Sequence, residues 1–159
     1  MTIGIGDRLP SLTLTKATAA GPEQVSSDDY FKGRKVALVA VPGAFTPTCS
    51  ARHLPGFVDK ADELKAKGLD EIAFTSVNDA FVMGAWGKAS DADAITMLAD
   101  GNGEFARAVG LTMDGSKFGL GERSQRYSMV VNDGVVEKLN VEAPGAFEVS
   151  SAEHLLGEL

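Results

Sequence analysis

One cysteine, Cys49, is the only thiol in 159 residues, so the chain can build neither an intramolecular disulfide nor a cysteine-rich zinc site. Its two histidines, His53 and His154, leave little for a transition-metal centre, and neither a metal nor a cofactor is expected. Positive charge is also short. Lys and Arg number 15 against 22 Asp and Glu, and the net −7 argues against nucleic acid, whose phosphates demand a basic surface, and against acidic membranes. No apolar run is long enough to cross a bilayer. The opening Met1-Thr2-Ile3-Gly4-Ile5-Gly6-Asp7-Arg8 has neither the basic-then-apolar order of a secretory signal nor the Arg/Ser-rich helix of a transit peptide. One compact soluble domain, 1–159, in a reducing cytoplasmic setting is therefore expected.

What the chain does have is alternation. Residues 36–41 are apolar without a break and stop at Pro42-Gly43, the pattern of a strand buried on both faces. Residues 50–67 read as a helix kinked at Pro55 and ended by Gly68. A strand at 71–77 follows, then a helix capped by Asp79, a strand at 94–98 and a short helix at 103–109. Residues 127–131 and 135–141 flank Asn132-Asp133-Gly134 as a β-hairpin, and 151–159 closes the chain as a capped helix. Successive βαβ units, then a hairpin and a last helix, predict an α/β, thioredoxin-like fold with a mixed central β-sheet flanked by helices. Phe81, Val82, Ala85 and Trp86 form an apolar stripe predicted to face the core. Asp100-Gly101-Asn102-Gly103-Glu104 has a superficial look of a calcium loop, but its glycine and distal acid miss the EF-hand spacing, so a plain turn is predicted.

Cys49 lies after the central strand and the loop Pro42-Gly43-Ala44-Phe45-Thr46-Pro47-Thr48, at the first turn of the helix predicted over 50–67. Open amides and partial positive charge at such a position favour a thiolate. Local charge agrees, because from Arg34 to Val58 the chain has Arg34, Lys35 and Arg52 and no acid. A lone cysteine is more often an inert buried residue, and its place at the helix start is what points to reactivity. Taken singly, Thr46 reads as a turn or cap residue and Arg126 as a surface arginine. His53 follows Cys49 by one helical turn; a Cys–His pair is the sharper reading, and packing beside the site is preferred. His154 is expected to be exposed.

The joint pattern resembles the peroxiredoxins. Pro42-Gly43-Ala44-Phe45-Thr46-Pro47-Thr48-Cys49 is similar to their Pro-x-x-x-Thr-x-x-Cys motif. Cys49-Ser50-x-x-His53-Leu54-Pro55-Gly56-Phe57, Ser76-Val77-Asn78-Asp79-Ala80-Phe81-Val82-Met83 and Ser124-Gln125-Arg126-Tyr127 extend the likeness to the peroxiredoxin-five, or plant type-II, branch over essentially the whole chain. The resemblance implies an antioxidant thiol peroxidase that reduces hydrogen peroxide and small alkyl hydroperoxides through a sulfenic acid on Cys49. Thr46 would orient the peroxide by both accepting and donating, Arg126 would hold the thiolate and the leaving oxygen, and Pro42 would shield the sulfur from water. Amides at Thr48 and Cys49 would complete the substrate contacts.

Phe74 stands about where plant type-II members often carry a resolving cysteine, and this chain has none. A one-cysteine cycle is implied, with glutathione and glutaredoxin, or a thioredoxin, as reductant. Trp86 and Gly119-Leu120-Gly121 are implied to border the site mouth and a homodimer interface. The competing readings are a peroxide-sensing relay without efficient turnover and a thioredoxin-fold interaction module that has lost its chemistry.

Overall fold

The computed structural model describes residues 2–159. In chain order the elements are β1 (Thr13–Thr18), β2 (Gly21–Ser26), α1 (Ser27–Phe31), β3 (Lys35–Ala40), a π-helical turn at Cys49–His53, α2 (Leu54–Asp59), α3 (Ala61–Ala66), β4 (Glu71–Ser76), α4 (Ala80–Ala89), β5 (Thr96–Ala99), α5 (Glu104–Val109), β6 (Thr112–Asp114), β7 (Glu122–Ser124), β8 (Tyr127–Asn132), β9 (Val135–Val141) and α6 (Ala152–Glu158). Seven strands form one sheet in the order β2-β1-β5-β4-β3-β8-β9. The β3–β4 and β4–β5 pairs are parallel and the others antiparallel, which makes the mixed sheet that the order of elements predicts.

The unbroken apolar run is explained by two cores. Ala37, Val39 and Val41 face one, with Phe57, Leu64, Trp86 and Leu155 from the helices on that side. Val36, Leu38 and Ala40 face the other, with Phe31, Phe105 and Val109. A strand covered on both faces favours apolar side chains at successive positions. At one edge, β8 and β9 close over Asp133 and Gly134, whose φ of 50° and 81° are the two left-handed residues of a tight hairpin turn.

The predicted helix over 50–67 is broken. Leu54 N–H bonds to Cys49 O, one residue further back than in an α-helix, and α2 then begins with Pro55 in its first turn. Residues 47–59 are helical without a gap, and the π turn just before Pro55 absorbs its missing N–H, so the predicted irregularity at Pro55 takes the form of a register change. The break falls at Lys60, which leaves helical geometry at φ −105°, ψ 11°. The predicted stripe on α4 is also corrected. Trp86 is buried, together with Ala80, Met83 and Gly87, whereas Phe81 is 75% exposed and Ala85 lies on the outer face. Asp79 caps α4 as predicted, accepting from Val82 N–H at 2.8 Å. The 100–104 stretch is a turn whose Asp100 carboxylate is spent on α5, accepting from the amides of Phe105 and Ala106 at 3.0 and 2.9 Å.

Candidate active site

The loop after β3 is fixed from several sides. Thr46 donates from both its amide and its hydroxyl to the Gly43 carbonyl, at 3.4 and 2.7 Å. Gly43 packs closely here, since a Cβ would lie 2.9 Å from Nη1 of Arg123 and 3.1 Å from Cγ2 of Thr46 and would displace the Arg123 tip. Asn78, between β4 and α4, accepts from Ala44 N–H at 2.9 Å and from the Ser76 hydroxyl at 2.6 Å. Trp86 reaches the next turn from α4, its indole N–H donating to Ser50 Oγ at 3.0 Å beside the cysteine. Sequence neighbours of Cys49 are therefore held by the sheet and by α4, not by the loop alone.

Cys49 itself is fully buried at the head of the π-helical turn. Residues 47–48 are already α-helical, so Cys49 lies in the first helical turn as predicted, and the register widens to π only from Cys49 onward. The first backbone bond of the segment runs from Ser50 N–H to Thr46 O at 2.9 Å, so the amides of Thr48 and Cys49 precede it. The direct cation at the sulfur is Arg126, just before β8, whose Nη2 donates to Sγ at 2.9 Å. Its Nη1 donates to Nδ1 of His53 at 2.7 Å.

His53 is buried among the rings of Phe57, Phe74 and Phe147. Its Nε2 lies 2.9 Å from the Ser150 carbonyl, which can only accept, so Nε2 carries the hydrogen and Nδ1 offers a lone pair. Burial, reinforced by the Arg126 charge, pushes the imidazole down to about 3, against weaker upward pulls from Ser150 and Glu142. Ser150 is clamped in turn. Its amide and hydroxyl, with the Glu148 amide, donate to Glu142 Oε2 at 2.8, 2.6 and 2.7 Å. Burial works against the Glu142 carboxylate, but these donors outweigh it and hold the group below its usual range.

The structure brings Cys49 and Arg126 together and places the other predicted residues around them. Thr46 is one correction: its hydrogen is committed to Gly43, so toward a substrate its oxygen only accepts. Pro42 and Thr48 line a cavity of about 600 Å3 with Met113, Phe118, Arg126 and Pro144. Arg123 ties the Gly119-Leu120-Gly121 segment to the loop after β3, donating to the carbonyls of Leu120 at 2.9 Å and Pro42 at 3.3 Å. His154 is exposed on α6, within 3.7 Å of Glu158. Sequence reasoning missed Arg123, Glu142, Phe147 and Ser150. Only Arg123 carried a usable signal, as a second arginine in the same short block as Arg126.

A buried thiol under a guanidinium, on a thioredoxin-like sheet and beside an open cavity, defines a cysteine-based redox protein. Residues 5–156 match the family model described as Redoxin, and the chain belongs to that family, in its type-II and peroxiredoxin-five branch. It is 53% identical to Peroxiredoxin-2E-2, chloroplastic, of Oryza sativa subsp. japonica, over 99% of this chain and 73% of that protein. It is 46% identical to Peroxiredoxin-2B of Arabidopsis thaliana over 99% and 98%. Among solved structures, reduced Prx3 in complex with hydrogen peroxide from Vibrio vulnificus superposes with a TM-score of 0.95 at 55% identity, covering 99% of each chain. The activity is that of a thiol-dependent peroxidase.

Proposed function

We propose that Cys49 performs peroxide reduction in a one-cysteine cycle recycled by glutathione, with glutaredoxin completing the reduction. The observation that carries this reading is the 2.9 Å contact from Arg126 to the sulfur of the chain's single cysteine. The Cys49 thiolate attacks the distal peroxide oxygen, and an S–O bond forms as the O–O bond breaks. Sulfur loses two electrons, the departing hydroxide or alkoxide takes up a proton, and Cys49 is left as sulfenic acid bearing the hydrogen of the attacked oxygen. Thr46 Oγ1 accepts that hydrogen's bond and orients the oxygen, while Arg126 holds sulfur before attack and the developing negative charge after it. Pro42 and Thr48 form the wall against which the peroxide sits, and Pro42 offers no competing N–H.

Glutathione then displaces hydroxide from sulfur, giving water and a mixed disulfide, and a second thiol releases Cys49 with a new disulfide on the reductant. Thioredoxin is the alternative reductant to the glutathione–glutaredoxin pair. Steady-state turnover with glutathione and glutaredoxin tests the cycle; stoichiometric oxidation without turnover would instead make the protein a peroxide-sensing relay. A homodimer and a reducing, cytoplasmic location belong to the same proposal. Exposed Phe118 at the cavity rim and Phe45 in the catalytic loop support an association surface there. The rice relative is named chloroplastic, so fractionation of the source cells decides the compartment.

A further inference from the structure

Arg126 reaches Cys49 on a flexible side chain, and a single contact to sulfur does not fix a guanidinium plane. A second acceptor does, because the fork is rigid and placing one nitrogen places the other. His53 Nδ1 is that acceptor, at 2.7 Å. Its bonds close a circuit: Arg126 side chain to His53, His53 to the Ser150 carbonyl, Ser150 to the Glu142 carboxylate, and Glu142 N–H back to the Arg126 carbonyl at 3.0 Å. Both ring nitrogens of His53 are thereby used. Nδ1 has no lone pair left for a thiol proton, which removes the Cys–His pair as a base mechanism.

We propose that His53 is a positioning residue for peroxide reduction, its neutral Nδ1 holding one arm of the Arg126 fork so that the other arm stays on the Cys49 sulfur. The proposal rests on the peroxidase reading of Cys49 and is independent of which thiol recycles it. The ring's low basicity suits this role, since a protonated imidazole would present N–H to a guanidinium.

The test is single-turnover oxidation of reduced protein by hydrogen peroxide in stopped flow, with His53→Gln, His53→Asn, Arg126→Gln and the His53→Gln/Arg126→Gln double variant. Asn places its oxygen near the site of Nδ1, whereas Gln extends toward Nε2 and leaves Arg126 without that acceptor. His53→Gln is expected to slow oxidation about tenfold or more, and His53→Asn to stay within about threefold of the native rate. In the Arg126→Gln background, His53→Gln is expected to add nothing, a non-additivity that a merely structural role would not give. A native rate in His53→Gln, an equal loss in His53→Asn, or a full additional loss in the double variant would overturn the proposal. Nitrogen-15 NMR of the native imidazole covers the case in which a His53 variant does not fold. A neutral Nε2–H tautomer whose Nδ1 resonance moves in Arg126→Gln is expected, and an Nδ1–H tautomer or an imidazolium at neutral pH contradicts it. Native protein that peroxide does not oxidise at all would remove the peroxidase reading and the proposal together, whatever the tautomer.

Discussion

The Arg126 fork spans two acceptors, Cys49 Sγ and His53 Nδ1, and an ammonium cannot reproduce that geometry. Arg126→Lys is therefore expected to lose at least about tenfold in the rate of Cys49 oxidation, roughly the 1.4 kcal/mol of one charge-assisted bond, and an unchanged stopped-flow rate would dismiss the fork. Thr46→Val keeps the side-chain shape and removes the acceptor, so peroxide attack is expected to slow while the urea midpoint moves little; the reverse pattern would make Thr46 a loop brace only. His53 brings a pH dependence. Folded, it stays neutral down to about 3, held there by burial and by Arg126 against Glu142, while the unfolded ring protonates near 6.5. Between those values the unfolded chain binds more protons, so stability rises with pH, is fully present above about 6.5 and is lost as the pH falls toward about 3. Unfolding free energies from urea titrations between pH 7 and 4 are expected to drop more steeply in native protein than in His53→Gln, by up to about 1.4 kcal/mol per pH unit, and parallel slopes would contradict the neutral buried imidazole.

At the scale of elements, what the sequence revealed depended on whether the cause was local. The β8–β9 hairpin was legible because Asn132-Asp133-Gly134 specifies its own turn, and β3 because a strand between two cores favours apolar residues at successive positions. The helix over 50–67 was misread for a physical reason. Leu54, Phe57, Ala61 and Leu64 keep helical spacing across the break at Lys60, and periodicity reports the buried face, not the hydrogen-bond register that makes Cys49–His53 a π turn. The β1–β2 hairpin went unread because β2 is an edge strand carrying Pro22 and exposed Glu23 and Gln24, and β6 and β7 are too short for any pattern. Within the site, Thr46, Cys49 and Arg126 were legible as a motif, but the His53 contact to Ser150 joins residues 97 apart and leaves no trace in spacing. Asp100 gives this scale its own test. Its buried carboxylate caps α5 through two amides, so Asp100→Ala is expected to cost about 1–2 kcal/mol by denaturant unfolding, with Asp100→Asn costing less because one acceptor remains. Equal stability of all three proteins would mean that burial of the charge, which raises the Asp100 carboxyl, cancels the cap.

At the scale of the whole molecule, a single sulfur decides the fate of the oxidised protein. Cys49 is fully buried, so the thiol of one copy is kept from attacking the sulfenic acid of another, and the nearby cavity lined by Arg126, Phe118 and Pro144 is the side from which a small thiol is expected to enter. Light scattering at micromolar concentration is expected to give a homodimer; an active monomer would refute the assembly and leave the chemistry untouched. The chemistry is tested most directly by intact mass after one equivalent of hydrogen peroxide, then excess glutathione. The expected sequence is gain of one oxygen per chain, then its replacement by one glutathione on Cys49, with nothing of either kind in Cys49→Ser. Quantitative conversion to a reducible Cys49–Cys49 dimer without a glutathione adduct, or a native chain left unmodified by peroxide, would contradict the one-cysteine cycle.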